Sequence, residues 1–368
     1  MGWMLTIYHK SFRQIMRKVL YITNIVVPYR VSFFNQLAKG VDLTVLYERR
    51  SSANRESKWA ISNGLSDAIH VAFLDGKNIG NESSFSFRII SWIRRDWDDI
   101  IIGSVNSKVQ MLAMLYMRAF GIPFYANLDG ETFIDNSTKG HIKKFFLRGA
   151  KGYFTAGDAA ASNLKKALGD VNIIPYYFSS LSEKEIERNG NVSAKREPFV
   201  LVVGQYYDYK GMDVALSVAK DMPNVRFKFV GMGKRTQLFI NDSKPMSSNI
   251  EVIPFLQKNQ LEEEYRKCQV LLLPSRQECW GLVVNEAASF GTPIVSTWGS
   301  GAAVEFLSKQ YSQYLALPGD AKSLEEKLKV CLSANLDEYS QYLLTISKQY
   351  TIERSVESHL KELLGQNA

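Results

Sequence analysis

The sequence predicts an α/β protein of two doubly wound, Rossmann-like domains, each a parallel sheet flanked by helices. Three observations predict it. The chain is 368 residues long, and a single hydrophobic core stops growing at roughly 250–300 residues, so two domains are expected. Short apolar runs rich in β-branched residues alternate with amphipathic segments along the chain, which is the rhythm of βαβ units. That rhythm is interrupted over residues 179–197, SSLSEKEIERNGNVSAKRE, a polar and charged stretch poor in apolar residues that reads as an exposed connection.

Each element has a local reason. VLYITNIV, from Val19, is a mostly apolar run and reads as the first strand. VSFFNQLAKG is an amphipathic segment ending at Gly40, and DLTVLYE resumes as a strand directly afterwards. The alternation recurs at IHVAFL, DDIIIGS, the helix from Val109 to Phe120, IPFYANLD, and KGYFTAG with a helix behind it. Beyond the polar connection come the strands PFVLVVGQ, RFKFVGMG, IEVIPFL, CQVLLLPS and TPIVSTWG. MDVALSVAKDM, LEEEYRKC and the segment from Glu286 to Phe290 are helical between them. The stretch from Leu336 to Leu364 is helical by periodicity, and its end is expected to pack back across the domain junction. The predicted organisation is a first domain over 1–178, a linker over 179–197, a second domain over 198–345 and a C-terminal crossover helix over 346–368.

Composition removes several functional classes. A hydrophobic fraction of 46% and a charged fraction of 22% exclude a disordered or fibrous chain. Cys268, Cys279 and Cys331 are odd in number and lack metal-ligand spacing, which argues against a disulfide framework or a zinc cluster and points to a reducing, cytoplasmic compartment. There is no run of about 18 apolar residues to span a bilayer. Residues 1–195 carry 26 Lys and Arg against 17 Asp and Glu, while the remainder carries 19 against 20, so the net charge of +8 sits in the first half. That asymmetry suits an anionic partner, a membrane surface or a nucleic acid; a solvated basic face is the plainer alternative. Nucleic acid is not expected, because no interleaved aromatic and basic recognition motif accompanies the charge. Residues 1–18 mix Trp3, Leu5 and Phe12 with Lys10 and Arg13, the signature of an interfacial helix or of a frayed terminus, and lack the cleavage pattern of a signal peptide. Arg94-Arg95 and Lys143-Lys144 with Arg148 face anionic lipid or are ordinary helix faces.

The most informative stretch is PSRQECWGLVVNEAASFGTPIVSTWGSG, from Pro274. A strand ends, a loop carries Glu278, and a helix starts near Leu282, so backbone N–H groups and the positive end of a helix dipole form an anion cradle. Glu286, about one turn into the helix, suits a ribose diol, and Glu278 suits sugar hydroxyls; two glutamates at this spacing also arise by chance. ECWGLVVNE followed by EAASFGTPIV resembles the Glu-x7-Glu motif of the retaining group-1 glycosyltransferases, glycosyltransferase family 4, of bacterial polysaccharide type and GT-B fold. VGQYYDYKGMDVAL, from Val203, resembles that family's donor-phosphate segment, with Lys210 matching its phosphate-binding lysine. RFKFVGMG resembles the segment whose glycines let the nucleotide approach backbone.

The resemblance implies a nucleotide-sugar donor site made of Gly204, Gln205, Lys210, Gly231, Gly233, Glu278, Cys279, Trp280, Gly281, Leu282, Val283 and Glu286. The family often adds an arginine near Lys210; here Gln205, Tyr206 and Tyr209 stand where it would be sought, which leaves one positive contact to the diphosphate unassigned. In the first half NIVVPYRVSFF, from Asn24, resembles the family's first loop and implies Asn24, Tyr29 and Arg30 as acceptor-binding residues. ANLDGETF places Asp129 at a strand end where many relatives carry a histidine, and none of His9, His70, His141 and His359 lies there. Asp129 is thus the candidate orienter or weak base for the acceptor hydroxyl, with an ordinary Asp-Gly turn as the alternative. Tyr176 and Tyr177 line the cleft or its core.

The implied chemistry is sugar transfer from a nucleotide diphosphate sugar, with retention, to a glycan or lipid-linked acceptor in surface polysaccharide synthesis at the inner face of the cell membrane. Asp129, Lys210 and Glu278 are its candidate catalytic residues. The departing phosphate oxygen would help deprotonate the acceptor, so no protein nucleophile, metal or cofactor is required, and Cys279, without an adjacent histidine, reads as a loop residue. Asp96-Trp97-Asp98-Asp99 looks like a metal motif but precedes a buried strand and reads as solvated carboxylates. A nucleotide-sugar epimerase of similar fold and a non-catalytic scaffold are the alternative readings.

Overall fold

Runs such as Val19–Ile22, Ile100–Ile102 and Val200–Val202 are buried on both faces, and continuous apolar strands of that kind form parallel sheets covered by helices. The computed structural model of the protein describes residues 16–50, 64–79, 83–130, 137–190 and 195–365. The interfacial segment expected at the N-terminus therefore lies, up to residue 15, outside the described residues.

The first half runs β1 (Lys18–Thr23), α1 (Pro28–Leu37), β2 (Asp42–Tyr47), β3 (His70–Phe73), β4 (Lys77–Ile79), β5 (Ser83–Phe85), α2 (Arg88–Ile93) and β6 (Asp99–Ile102). It continues with α3 (Lys108–Ala119), β7 (Tyr125–Leu128), α4 (Thr138–Leu147), β8 (Gly152–Ala156), α5 (Asp158–Leu168), β9 (Ile173–Tyr176) and α6 (Glu183–Gly190). Seven strands form one sheet in the order β3-β2-β1-β6-β7-β8-β9. The order reverses between β1 and β6, the position where open sheets of this type bind ligands.

The second half runs β10 (Glu197–Val203), α7 (Met212–Asp221), β11 (Arg226–Val230), α8 (Thr236–Asp242), β12 (Ile250–Ile253), α9 (Lys258–Lys267), β13 (Cys268–Leu272) and α10 (Leu282–Ser289). Then come β14 (Ile294–Thr297), α11 (Gly301–Leu307), β15 (Leu315–Ala316), α12 (Ala321–Ser333), α13 (Asp337–Ser347) and α14 (Ile352–Leu363). Its six strands pair in parallel in the order β12-β11-β10-β13-β14-β15. Both sheets expected from the sequence are present.

The chain divides into two compact units, one of Met1–Ala126, Gly149–Lys151 and His359–Ala368, the other of Asn127–Arg148 and Gly152–Ser358. Within the first, the end of α14 covers α1 and the turn behind it. The His359 ring meets Phe33 edge-on at 4.9 Å, Leu360 fills the space above Gly40, and Tyr125 donates to Glu362 Oε1 at 3.0 Å.

Two expectations are corrected. The stretch read as an open connection contains α6, which buries Ile186 and Asn189. Ser182 and Glu185 cap it reciprocally, Ser182 N donating to Glu185 Oε2 at 2.8 Å and Glu185 N to Ser182 Oγ at 3.3 Å, a capping box that its few apolar residues conceal. The C-terminal helical stretch is two helices, and Thr351 Oγ1 restarts the second by accepting from Arg354 N at 3.1 Å. The β4–β5 hairpin and helices α2, α4, α8, α11 and α12 were not anticipated.

Candidate functional site

The carboxyl ends of β10, β11 and β13, all in the second unit, carry the predicted donor residues. After β10 the chain passes Gly204, makes one 3-10 turn over Asp208–Lys210 and enters α7 through Gly211. Gly211 has φ +67°, and a Cβ there would stand 2.1 Å from the Pro274 carbonyl oxygen, so only glycine allows this approach. The Tyr209 carbonyl accepts from Arg276 N at 2.9 Å and Gln277 N at 3.1 Å. These bonds stitch the loop bearing Lys210 to the loop bearing Glu278.

As a result Lys210 Nζ is paired with Glu278 Oε1, and Ser275 Oγ donates to Glu278 Oε2 at 2.8 Å. The two side chains are only 21% and 12% exposed, so water screens their attraction weakly. Gly281 lies against the Glu278 carboxyl carbon and leads into α10, whose first residues, Leu282 and Val283, are half-buried. A lysine, a carboxylate and a helix N-terminus thus meet at one sheet edge. Gly231 packs on Gly204, Gly233 N donates to the Pro254 carbonyl at 3.0 Å, and the Gln205 carbonyl accepts from Tyr207 N at 2.9 Å. Cys279 is exposed, while Trp280 is buried and donates from Nε1 to Asn285 Oδ1 at 2.8 Å.

Glu286 accepts from the Tyr265 hydroxyl at 2.8 Å and the Ser180 hydroxyl at 3.3 Å. Burial raises its carboxyl above the ordinary carboxylate range, against the lowering effect of those bonds, and burial drives the Tyr265 phenol far up. A carboxyl that holds its proton more tightly when folded favours the native state at low pH, and that contribution is lost as pH rises through its raised value. Glu286→Gln is therefore expected to gain stability relative to the parent as pH rises above the ordinary glutamate value of about 4.3. Urea unfolding at matched pH checks this, and a pH-independent difference would refute it.

Asp129, in the second unit, directly follows β7. Its Oδ1 accepts from Asn127 Nδ2 at 2.6 Å and from the Tyr176 hydroxyl at 2.7 Å. Gly130 behind it has φ +126°, and a Cβ there would lie 2.0 Å from the Cys279 carbonyl oxygen. The Asp129 turn is thus pressed on the loop that carries Glu278. Neither Asn127 nor Tyr176 was picked out as its partner, since Tyr176 is remote in sequence and no spacing signals the contact.

In the first unit Asn24 Oδ1 accepts from Gln110 Nε2 at 3.0 Å, and the same amide donates to Glu48 Oε1 at 2.6 Å. Glu48 is fully buried, and that burial raises its carboxyl above the usual range. This buried polar cluster lies where the strand order reverses and was not anticipated from the sequence. Tyr29 is half-buried on the first turn of α1. Arg30 is 4% exposed, with its guanidinium over the Tyr21 and Phe33 rings at 5.6 and 5.4 Å, so the structure places it in the core of this unit. The reading of Asp99 as solvated is corrected: it is 2% exposed and accepts from Arg17 Nε at 3.0 Å and Lys151 Nζ at 2.6 Å. Asp98 accepts from Lys18 N at 2.8 Å. Among the described residues no three His, Cys, Asp or Glu side chains are grouped to hold a metal ion, and no helix is long and apolar enough to cross a membrane.

Residues 183–344 match the family described as "Glycosyl transferases group 1". The chain is 30% identical over 131 residues to an uncharacterized glycosyltransferase of Methanocaldococcus jannaschii, a match covering 35% of this chain and 37% of that one. It is 28% identical over 189 residues to the sulfoquinovosyl transferase SQD2 of Arabidopsis thaliana, covering 50% and 36%. Both matches thus span well under half of the relative's own length. In fold it is similar to Anabaena HepE, solved in complex with UDP and glucose, with a TM-score of 0.66, 14% identity and coverage of 95% of this chain and 99% of that one. The two Rossmann-like halves have the GT-B fold, and over residues 183–344 the chain carries a domain of the group 1 glycosyl transferases.

Proposed function

We propose that the protein is a retaining glycosyltransferase that moves a sugar from a nucleotide diphosphate sugar to a glycan or lipid-linked acceptor in surface polysaccharide synthesis. The observation that carries this reading is the meeting of Lys210, Glu278 and the N-terminus of α10 at one sheet edge, with the Asp129 turn pressed on the loop that carries Glu278. Lys210 and the first amides of α10 bind the diphosphate and stabilise its charge as it leaves. Glu278 holds sugar hydroxyls, Glu286 the ribose diol, and Asp129, steadied by Asn127 and Tyr176, orients the acceptor hydroxyl. The donor is a co-substrate, and neither metal nor cofactor takes part. Attachment to the inner face of the membrane is supported by the basic surplus of residues 1–195 and by the exposed Arg94 and Arg95.

The testing experiment is a thermal-shift screen against UDP, GDP, ADP, CMP and their sugar conjugates. A saturating ligand at a hundred times its dissociation constant stabilises the native state by about 2.7 kcal/mol, a rise on the order of 2 °C or more. Stabilisation by one nucleotide, lost in Glu286→Ala and unchanged by EDTA, is expected. No shift with any of them in folded protein would overturn the reading, and a metal-dependent shift would overturn its metal-free form.

A further inference from the structure

The charge at the candidate donor site leaves a deficit. The positive charge of Lys210 is matched by Glu278, to which it is paired, so these two side chains together offer a diphosphate no net positive charge. An anion of about two charges needs a further cation, and two arginines touch the loop between Gly204 and Lys210. Arg276 is already spent. Its two terminal nitrogens hold Asp213 at 2.7 and 2.6 Å, and Nη1 also donates to the Asp208 carbonyl at 2.8 Å. Those contacts raise the Arg276 guanidinium's pKa, chiefly through Asp213, and lower that of the Asp213 carboxyl.

Arg235 differs. It ends the 3-10 turn Gly233–Arg235, in the loop after β11, the strand next to β10. Its guanidinium lies 4.0 Å over the Tyr207 ring and donates from Nη1 to the Tyr206 carbonyl at 3.1 Å. Tyr207 in turn stacks on Tyr209 at 5.7 Å, the residue before Lys210. Arg235 is therefore fixed on the same loop as Lys210 although it comes from another strand. Among the described residues no carboxylate forms an ion pair with it, and Arg235 is exposed with only one of its five N–H donors bonded. A stacked, tethered guanidinium has lost its rotamer freedom before an anion arrives, which leaves more of each hydrogen bond as affinity.

We infer that Arg235 supplies the second cationic contact for the diphosphate of the donor, in place of an arginine on the β10 loop itself. The inference rests on the proposed donor site and assigns Arg235 as a binding residue within it.

The test is calorimetric titration of the full chain and its Arg235→Gln and Arg235→Lys variants with UDP, GDP and ADP, with the matching nucleosides, and with inorganic pyrophosphate. Loss of one charge-assisted contact is expected to weaken the preferred nucleoside diphosphate and pyrophosphate about tenfold or more in Arg235→Gln. Nucleoside affinity should stay unchanged, and Arg235→Lys should recover part of the loss. A structural role alone would weaken nucleoside and diphosphate alike, and equal diphosphate binding by parent and Arg235→Gln would overturn the inference while leaving the donor site intact. Parent protein that binds none of these probes would overturn both.

Discussion

Lys210→Ala is expected to lower turnover about a hundredfold, the range seen when one preorganised contact to developing negative charge is removed. Lys210 is the only lysine of the Gly204–Lys210 loop and is held in place by the pair with Glu278 and by the bonds from Arg276 and Gln277 to Tyr209. The substitution also strands Glu278 without its partner, so a rate loss has two readings. The double variant Lys210→Ala/Glu278→Gln separates them. If the lysine serves only to neutralise Glu278, the double variant recovers activity; if it binds the departing diphosphate, the double variant stays as slow as the single one. Steady-state rates with each variant, alongside melting temperatures near that of the parent, decide the matter, and an unchanged rate in Lys210→Ala removes the lysine from the mechanism.

Gly130→Ala should have the largest combined effect on stability and activity. Its Cβ would stand 2.0 Å from the Cys279 carbonyl oxygen, a distance no pair of nonbonded heavy atoms tolerates, and the backbone at φ +126° is strained for any other residue. Either the Asp129 turn or the Glu278 loop must move, and a displacement of about 1 Å at reacting groups costs on the order of a hundredfold in rate. Gly121→Ala is the matched control. That glycine also has positive φ, +65°, but its added methyl would meet nothing within 4 Å, so its cost is the backbone term of roughly 1–2 kcal/mol alone. Calorimetry is expected to show a clearly larger fall in melting temperature for Gly130→Ala, with activity retained in the Gly121 variant. Equal losses in the two would mean that the contact with Cys279 is unimportant.

The legible part of this protein is the part written in short sequence spans. Strands such as CQVLLLPS and helices such as MDVALSVAKDM announce themselves by period, and Lys210 and Glu278 stand at strand-to-helix turns, with Glu286 about one turn into the helix behind the second. Contacts made by folding were not legible. Nothing in the sequence joins Asn127 and Tyr176 to Asp129, or brings Arg235 from the β11 loop to the loop of β10. The missing cation was sought beside Lys210 because pattern reading sees neighbours along the chain, whereas neighbouring parallel strands bring distant loops together. Helix α6 is an intermediate case, since its capping residues Ser182 and Glu185 stood in plain view but too few apolar residues surrounded them.

The position of α14 bears on how the chain matures during synthesis. The first unit begins near the N-terminus, yet Phe33 and the turn at Gly40 are covered by His359 and Leu360, almost the last residues described. A nascent chain exposes that apolar face until residues 359 and 360 have been made, and at roughly 5–20 residues per second the wait is on the order of tens of seconds. The unit begun first is thereby finished last, and no single cut of the backbone yields both units whole.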